Sequence, residues 1–575
     1  MAHAPASSTA PAVETHDLRR NFKASRGGKA VDALAGVGGG AGGSIRPHCS
    51  EDSMTLEAPG LTFSRSDLDQ LERRGITLED ARYQIEMLLQ PPAPLTIDRA
   101  CTLGDGIARI FDAEHDELLK LHHEAAQSGG CHWFVPASGA ASRMFKELVV
   151  ALAPPVPDKS RKKKPVPENL ALKQFLHEIQ RFPFFGELDK ALGGRLVALA
   201  QAGEHRPILE TMLAPTGLGY ADKPKGLMPF HSYDGVTCTA FEEHLVEAGP
   251  VMRDAGQRSR LHFTVSPEHM DAFHALFEKV RGRYELQLGV HFEVGFSVQH
   301  LSTDTLALDT QGRLFRDEEG MLLFRPGGHG ALLENLQALN APLVFIKNID
   351  NVTTAQRNSP TILWSRLLLG LLVRAQRKTL DLLRRLESDP GNAPVHEALE
   401  FAATTLGCEP HAGIVASSTK RARSLAVTLL HRPLRVCGMV PNSGEPGGGP
   451  YWVKGRDGQA SPQIIEDAQL DKNNRTQKKK VSGATHFNPV FMACGLRDRT
   501  GTPFKLSEFV DPDAVIVGKK SYNGRELISL ERPGLWNGAM AHWNTIFVEV
   551  PLEVFNPVKT VNDLLRTEHQ DSIDR

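Results

Sequence analysis

Asp350 stands among amides in Asn348-Ile-Asp-Asn351, directly after the apolar run Pro342 to Ile346. An unbroken apolar run bounded by turn signals fits a strand buried on both faces, as in a parallel sheet. Ligands of open α/β sheets bind just beyond the carboxyl ends of such strands. A carboxylate with neighbouring amides there suits magnesium and phosphate. Twenty to twenty-four residues upstream of Asp350 lies the turn Pro326-Gly-Gly-His-Gly330. A small-residue loop, Pro136-Ala-Ser-Gly-Ala-Ala-Ser-Arg143, follows the short apolar stretch His132 to Val135. Strand, small-residue turn and helix together present backbone N–H groups to an anion, and Arg143 and Lys146 would add charged contacts. Lys223 and Lys225 flank Pro224, which stiffens their turn, so both suit a triphosphate. Each motif alone is equally what an ordinary tight turn or solvated surface would show.

These residues need elements to hold them. Strand-like and helix-like stretches alternate over roughly 130–352, which predicts a largely parallel sheet with helices on both faces. Its strands are expected at 132–135, 261–266 and 291–299, with Leu306 to Asp309 continuing the same sheet. Before it, Ser64 and Thr77 read as N-caps of two short helices ending near Leu89, each followed three residues later by an aspartate. A further helical stretch is expected over about 107–128. After it, Leu363 to Ser388 is a long amphipathic helix within a helical insertion at 356–432. From 433 the chain is β-rich and completes the substrate site. Its loops carry Asn and Trp, at Thr485 to Val490, the Gly-bearing Pro533 to Gly538 and Trp543-Asn544. Asn and Trp suit a sugar, by hydrogen bonds to hydroxyls and an indole on the ring face. A core-anchoring Trp fits equally.

At 575 residues the chain suggests two or three domains. Residues 1–53, rich in Ala, Ser and Gly, are expected to stay disordered, and Met54 is a candidate start. The expected divisions are this extension, an N-terminal helical region 54–130, a nucleotide-binding core 131–355, the insertion 356–432 and a C-terminal part 433–575. The net charge of −2 argues against a nucleic-acid or membrane partner, so any anion site is local. Seven scattered cysteines without a C-x-x-C pair point to a reducing compartment, the cytoplasm. The basic runs Arg161 to Lys164 and Lys478 to Lys480 read as solvated faces. The many histidines form no ligand spacing and read as ordinary polar groups.

In order along the chain, these motifs resemble those of the UDP-sugar pyrophosphorylases, nucleotidyltransferases with a GT-A-type, Rossmann-like core. Ala137 to Met144 sits where that group has its phosphate loop, with Ser138 and Ala141 in place of two of its three glycines. Pro224-Lys225, Phe296-Ser-Val-Gln299, Pro326 to Gly330, Asn348 to Asn351, Ile465-Glu466 and Phe555 to Lys559 follow in the same sequence. More closely, the chain from about Met54 resembles an uncharacterised bacterial family, a domain of unknown function, with wording such as FRPGGHGALLENL, FIKNIDN, PGLWNGAMA and FNPVKTVNDLL. That closer resemblance brings no activity with it.

The more distant resemblance implies an α/β fold and a magnesium-dependent transfer of UMP from UTP to a sugar 1-phosphate-like acceptor. It assigns Arg143, Lys225 and Lys559 to catalysis, by stabilising the departing pyrophosphate and holding the attacking phosphate. It assigns Asp350 to the metal. Ala137, Ser138, Gly139, Gln299, Gly327, Gly328, His329 and Gly330 would bind the nucleotide, and Glu466, Asn488, Trp536 and Asn537 the sugar. Two alternatives stand beside it: another phosphoryl-transfer enzyme, and a non-catalytic sugar-nucleotide-binding protein.

Overall fold

In the protein's structure, a computed structural model that describes residues 61–152, 169–408, 419–444, 447–455, 460–471 and 473–571, the apolar run is a strand buried along its whole length, Leu343–Lys347. It lies in the middle of one large sheet. Its seven longest strands are β1 (Cys131–Pro136), β2 (Arg258–Thr264), β3 (His291–Ser297), β4 (Leu343–Lys347), β5 (Leu434–Pro441), β6 (Phe491–Gly495) and β7 (Asn544–Glu549). Their order is β3-β2-β1-β4-β6-β5-β7, and the short strands Gly106–Ala108 and Thr102–Leu103 extend the β7 edge. Neighbours pair in parallel except at β6, which runs against both β4 and β5. The protein is thus a mixed α/β fold built on a mainly parallel sheet.

Period-two alternation gives this sheet two cores. Trp133, Val135, Phe345 and Val436 face one side, and Phe134, Val344, Ile346 and Cys437 the other. The first side is covered by α1 (Ala240–Met252) and by α3 (Ser359–Ser388), whose Leu367, Leu368 and Leu372 are fully buried. Between them in the chain, α2 (Met270–Leu288) packs on β3 and α1. Thr239 caps α1 reciprocally with Glu242, so the helix starts where Pro229–Thr239 ends its hairpin.

The expected helices at Ser64 and Thr77 form at Arg65–Arg74 and Leu78–Leu89, each with its side-chain cap in place. They pack on a separate four-stranded sheet made by Thr305–Asp309, Phe324–Arg325, Ile516–Tyr522 and Arg525–Glu531. Thr305–Asp309 therefore does not continue the large sheet, as was expected of Leu306 to Asp309. It pairs with Arg525–Glu531, a partner more than two hundred residues away that periodicity cannot reveal. The helix expected over 107–128 begins only at His115, because 106–108 pairs with β7 instead. The extension 1–53 with Met54 and the run Arg161 to Lys164 lie outside the described residues. No helix among the described residues is long and apolar enough to cross a membrane.

Candidate functional site

The carboxyl ends of β1 and β4 are neighbours, and the chain departs from them in opposite directions along the sheet. Three charged side chains meet there. Lys225 Nζ lies 2.7 Å from Asp350 Oδ2 and 2.8 Å from the Val558 carbonyl oxygen, to which it donates. Lys559 Nζ lies 3.0 Å from the same carboxylate oxygen. Asp350 and Lys225 are nearly buried, whereas Lys559 is two-fifths exposed. Burial pushes the Asp350 carboxyl up, but Lys559 and Lys225 outweigh it and hold it at about 2. Burial likewise pulls the Lys225 ammonium below its usual range, against the attraction of Asp350. One negative and two positive charges leave a surplus suited to an anion.

Local structure explains why the lysines meet there. The Asp350 carbonyl accepts from the Val558 N–H, and the Asn351 side chain bonds both the Val554 carbonyl and the Asn556 N–H. Asp563 caps the backbone N–H groups of Lys559 and Thr560. Sequence reasoning missed Asp563, although Thr560-x-x-Asp563 is a readable capping box. The loop after β1 is tied to the Lys225 turn: Ala141 N–H donates to the Lys223 carbonyl, and Lys225 N–H to that of Gly139. Ala137 spends its N–H on Thr264 of β2 and is buried, while Ser138 and Gly139 are exposed. No residue of this loop adopts a positive φ, so Ser138 and Ala141 sit without strain where glycines were looked for. Arg143 is exposed, and no ion pair joins it to Asp350.

A second cluster gathers the aromatic and acidic candidates. The His329 ring stacks on Trp536, with centroids 4.1 Å apart and planes at 18°. Glu466 Oε1 accepts from the Trp536 indole at 3.3 Å and lies 3.5 Å from His329 Nε2. Burial raises the Glu466 carboxyl, but His329, then Trp536 and Asn537, more than offset this and leave it below its usual range. Asn537 is buried and donates to Gln469. Asn488 is also buried, and its side-chain oxygen accepts from Val490 N–H, in an Asx turn that holds Val490 at φ 57°. That φ is costly for a β-branched residue, and such strain persists only where surroundings impose it. The Asn488 N–H donates to Gly448, which packs against Glu466. Phe487 stacks obliquely on Phe555 at 5.2 Å, joining this cluster to the segment that carries Lys559.

The glycines of the Pro326 to Gly330 turn have a packing reason of their own. A Cβ on Gly330 would stand 2.1 Å from the Pro533 carbonyl oxygen, and one on Gly327 2.4 Å from that of Thr303. Gly328 has φ 75°. Gln299, just past β3, is half-buried and donates to Thr303 Oγ1 at 3.3 Å. The structure thus joins Lys225, Lys559 and Asp350 in one group and His329, Glu466, Trp536 and Asn537 in another. Gln299, Asn488, Arg143 and the 137–139 loop stand around them on the carboxyl side of the strands.

No group of three His, Cys, Asp or Glu side chains able to hold a metal occurs among the described residues. Asp350 supplies one carboxylate, and both lysines already approach one of its oxygens. That donor set fits a magnesium ion carried in on a triphosphate, most of whose ligands are phosphate oxygens and water, rather than one held by protein alone.

The class that the fold defines is a mixed, mainly parallel α/β protein with its polar groups at the carboxyl edge. The chain belongs to the family described as a domain of unknown function (DUF4301), whose model matches residues 64–570. Comparison with curated proteins finds no match. Among solved structures, a UDP-glucose phosphorylase from Trypanosoma brucei is similar at 12% identity and TM-score 0.42, over 88% of this chain and 80% of that one. A mutant UDP-glucose pyrophosphorylase from Leishmania major in complex with UDP-glucose is similar at 13% identity and TM-score 0.39, over 88% and 79%. A uridine diphosphate N-acetylglucosamine pyrophosphorylase from Trypanosoma brucei in complex with inhibitor gives 13% and 0.38 over the same shares.

Proposed function

We propose that the protein is a nucleotidyltransferase that moves a nucleoside monophosphate, UMP from UTP, onto a sugar 1-phosphate-like acceptor. The observation that carries this reading is the convergence of Lys225 and Lys559 on Asp350 where the chain leaves β1 and β4. In this reaction an acceptor phosphate oxygen bonds to the α-phosphorus while the α–β bridging bond breaks, and pyrophosphate leaves with the electron pair. No protein nucleophile is needed, and the acceptor is already an anion. The work is charge neutralisation and alignment.

Lys225, held nearly buried by Val558 and Asp350, is preorganised to meet the departing pyrophosphate. Lys559 is more exposed and free to turn from Asp350 to an incoming phosphate. Arg143, on the loop after β1, would reach the outer phosphates, with Ala137, Ser138 and Gly139 lining their path. Magnesium bound on the triphosphate would withdraw charge from the phosphate oxygens, with Asp350 facing it. Gln299 and the Gly327, Gly328, His329 and Gly330 turn would take the base. Glu466 and Trp536, with Asn488 and Asn537 behind them, would take the sugar.

A second reading, nucleotide binding without turnover, draws on one observation: Arg143 stands apart from the Asp350 cluster. Pyrophosphate release separates the two. Purified protein with magnesium is crossed with UTP, CTP, GTP, ATP and dTTP against a panel of sugar 1-phosphates, with Asp350→Ala as control. Release with one nucleotide, abolished in the control, supports the transferase and names its base. Nucleotide binding with no release moves the assignment to a binding protein.

A further inference from the structure

Past β7 the chain leaves the sheet and crosses its carboxyl edge as a strap. The Val550 N–H donates to Met439, the Val558 N–H to Asp350 and the Val561 N–H to Met144. Farther on, the Glu568 carbonyl accepts from Thr353 Oγ1 and the Thr354 N–H. Lys559 rides on this strap, and the strap ends in a buried side chain, His569.

The His569 and His231 rings stack with centroids 5.3 Å apart, and His569 Nδ1 lies 2.9 Å from His231 Nε2. Both residues are at most 2% exposed. On its other side His231 Nδ1 lies 2.6 Å from Glu243 Oε1, which also accepts from the Tyr233 hydroxyl. The Tyr233 oxygen accepts in turn from the Ala355 N–H, just past the Asp350 loop. A carboxylate can only accept, so His231 presents Nδ1–H to Glu243. A single proton then serves the facing nitrogens of His231 and His569. A second would either set N–H against N–H or put a charge on the buried His569 Nε2, in a dry site.

We propose that His231 and His569 form a proton-sensitive clasp that fastens the 550–569 strap, and so positions Lys559, against the β4 loop. The placing of Lys559 for phosphate rests on the function proposed above; the clasp itself does not. Further charged and titratable groups around the pair are Glu247 and Lys347, which pair with each other beside Glu243, the Cys238 thiol near Glu243, and Arg566 beside His569, itself ion-paired with Asp563 at 2.8 Å. Arg566 adds positive charge and disfavours a second proton further. Burial first, then His231 and Arg566, holds the His569 imidazole well below 6.5. The released strap takes up that proton and the clasped one does not. Clasping is therefore complete above pH 6.5 and is lost as pH falls below it.

Hydrogen exchange of the full chain between pH 5 and 8, corrected for the intrinsic rate, reads the clasp without any ligand. The opening equilibrium of the strap is expected to rise about tenfold per pH unit below 6.5 relative to β1 and β4. His569→Gln keeps a neutral donor towards His231 and should flatten that slope while leaving the strap protected at pH 7.5. His569→Leu, should the glutamine variant not fold, also removes the titrating imidazole and is expected to flatten the slope too. Binding of UTP with magnesium should weaken in step with strap opening in the unmutated protein and become pH-independent in His569→Gln. Strap exchange that follows β1 and β4 at every pH, or an unchanged slope in the variants, overturns the clasp. A loosened strap with unchanged UTP affinity overturns its link to Lys559. UTP that binds at no pH counts against the proposed function, and the exchange result still decides the clasp.

Discussion

Asp350 does two jobs at once, and its replacement should separate them. It is the counter-charge for the nearly buried Lys225 as well as a group facing the proposed phosphates. Asp350→Asn would leave Lys225 buried without its counter-charge, at a cost on the order of 3 kcal/mol. Thermal unfolding should therefore shift down. Adding Lys225→Met should restore much of that loss but no pyrophosphate release, which is expected to fall about 10²–10³-fold when one preorganised charge goes. If the double variant stays as unstable as the single one, Asp350 is held by something other than Lys225. Two glycines offer a matching contrast. Gly139 has open space where a Cβ would go, so Gly139→Ala should leave unfolding unchanged and weaken only nucleotide binding. Gly330→Ala meets the Pro533 carbonyl at once and should destabilise the fold whatever the ligand.

At the scale of elements, the polar edge is braced from beneath by α1. Lys347, the last residue of β4, has its Nζ 2.5 Å from Glu247 Oε2, and both side chains are 1% exposed. One turn away, His244 accepts from the Trp133 indole of β1 and reaches the Ile349 carbonyl. The helix thus holds the middle of β1 and the end of β4 through buried polar contacts. Such a pair contributes little net stability but is costly to halve. Lys347→Met alone should cost about 3–5 kcal/mol, and Lys347→Met with Glu247→Leu should come close to the parent in chemical denaturation. A double variant that is stable yet loses nucleotide affinity would mark the pair as a spacer for the Asp350 loop. One that keeps affinity would make it packing alone.

For the whole molecule, buried histidines set the acid limit. Burial is the main cause that pulls His122 down to about 4, His244 to about 3 and His262 to about 4. Each is neutral when folded and takes up a proton near pH 6.5 when unfolded. Unfolding then binds protons, so stability is full above pH 6.5 and declines below it, by up to about 1.4 kcal/mol per pH unit for each histidine until its folded value is reached. Asp350, near 2, adds nothing to this loss until pH falls below the ordinary carboxylate range. Urea midpoints measured from pH 8 to 5 should fall steadily. A flat profile would mean that these rings are solvated in the folded protein.

Local signals in the sequence determined what local physics governs. Ser64 and Thr77 cap their helices because a short hydroxyl side chain reaches an N–H three residues on, wherever the rest of the chain lies. The run at 343–347 became a doubly buried strand because an unbroken apolar stretch has no face to give to water. The amphipathic helix at 359–388 followed from its apolar stripe. Only the tertiary structure decided which sheet Thr305–Asp309 joined, since a short apolar run suits either one. Only the tertiary structure brought Lys559 to Asp350 across 209 residues and His569 to His231 across 338. Nothing in a residue's neighbours encodes such a meeting. It arises because strand order and the strap place distant segments on one edge, where burial makes each charge seek a partner.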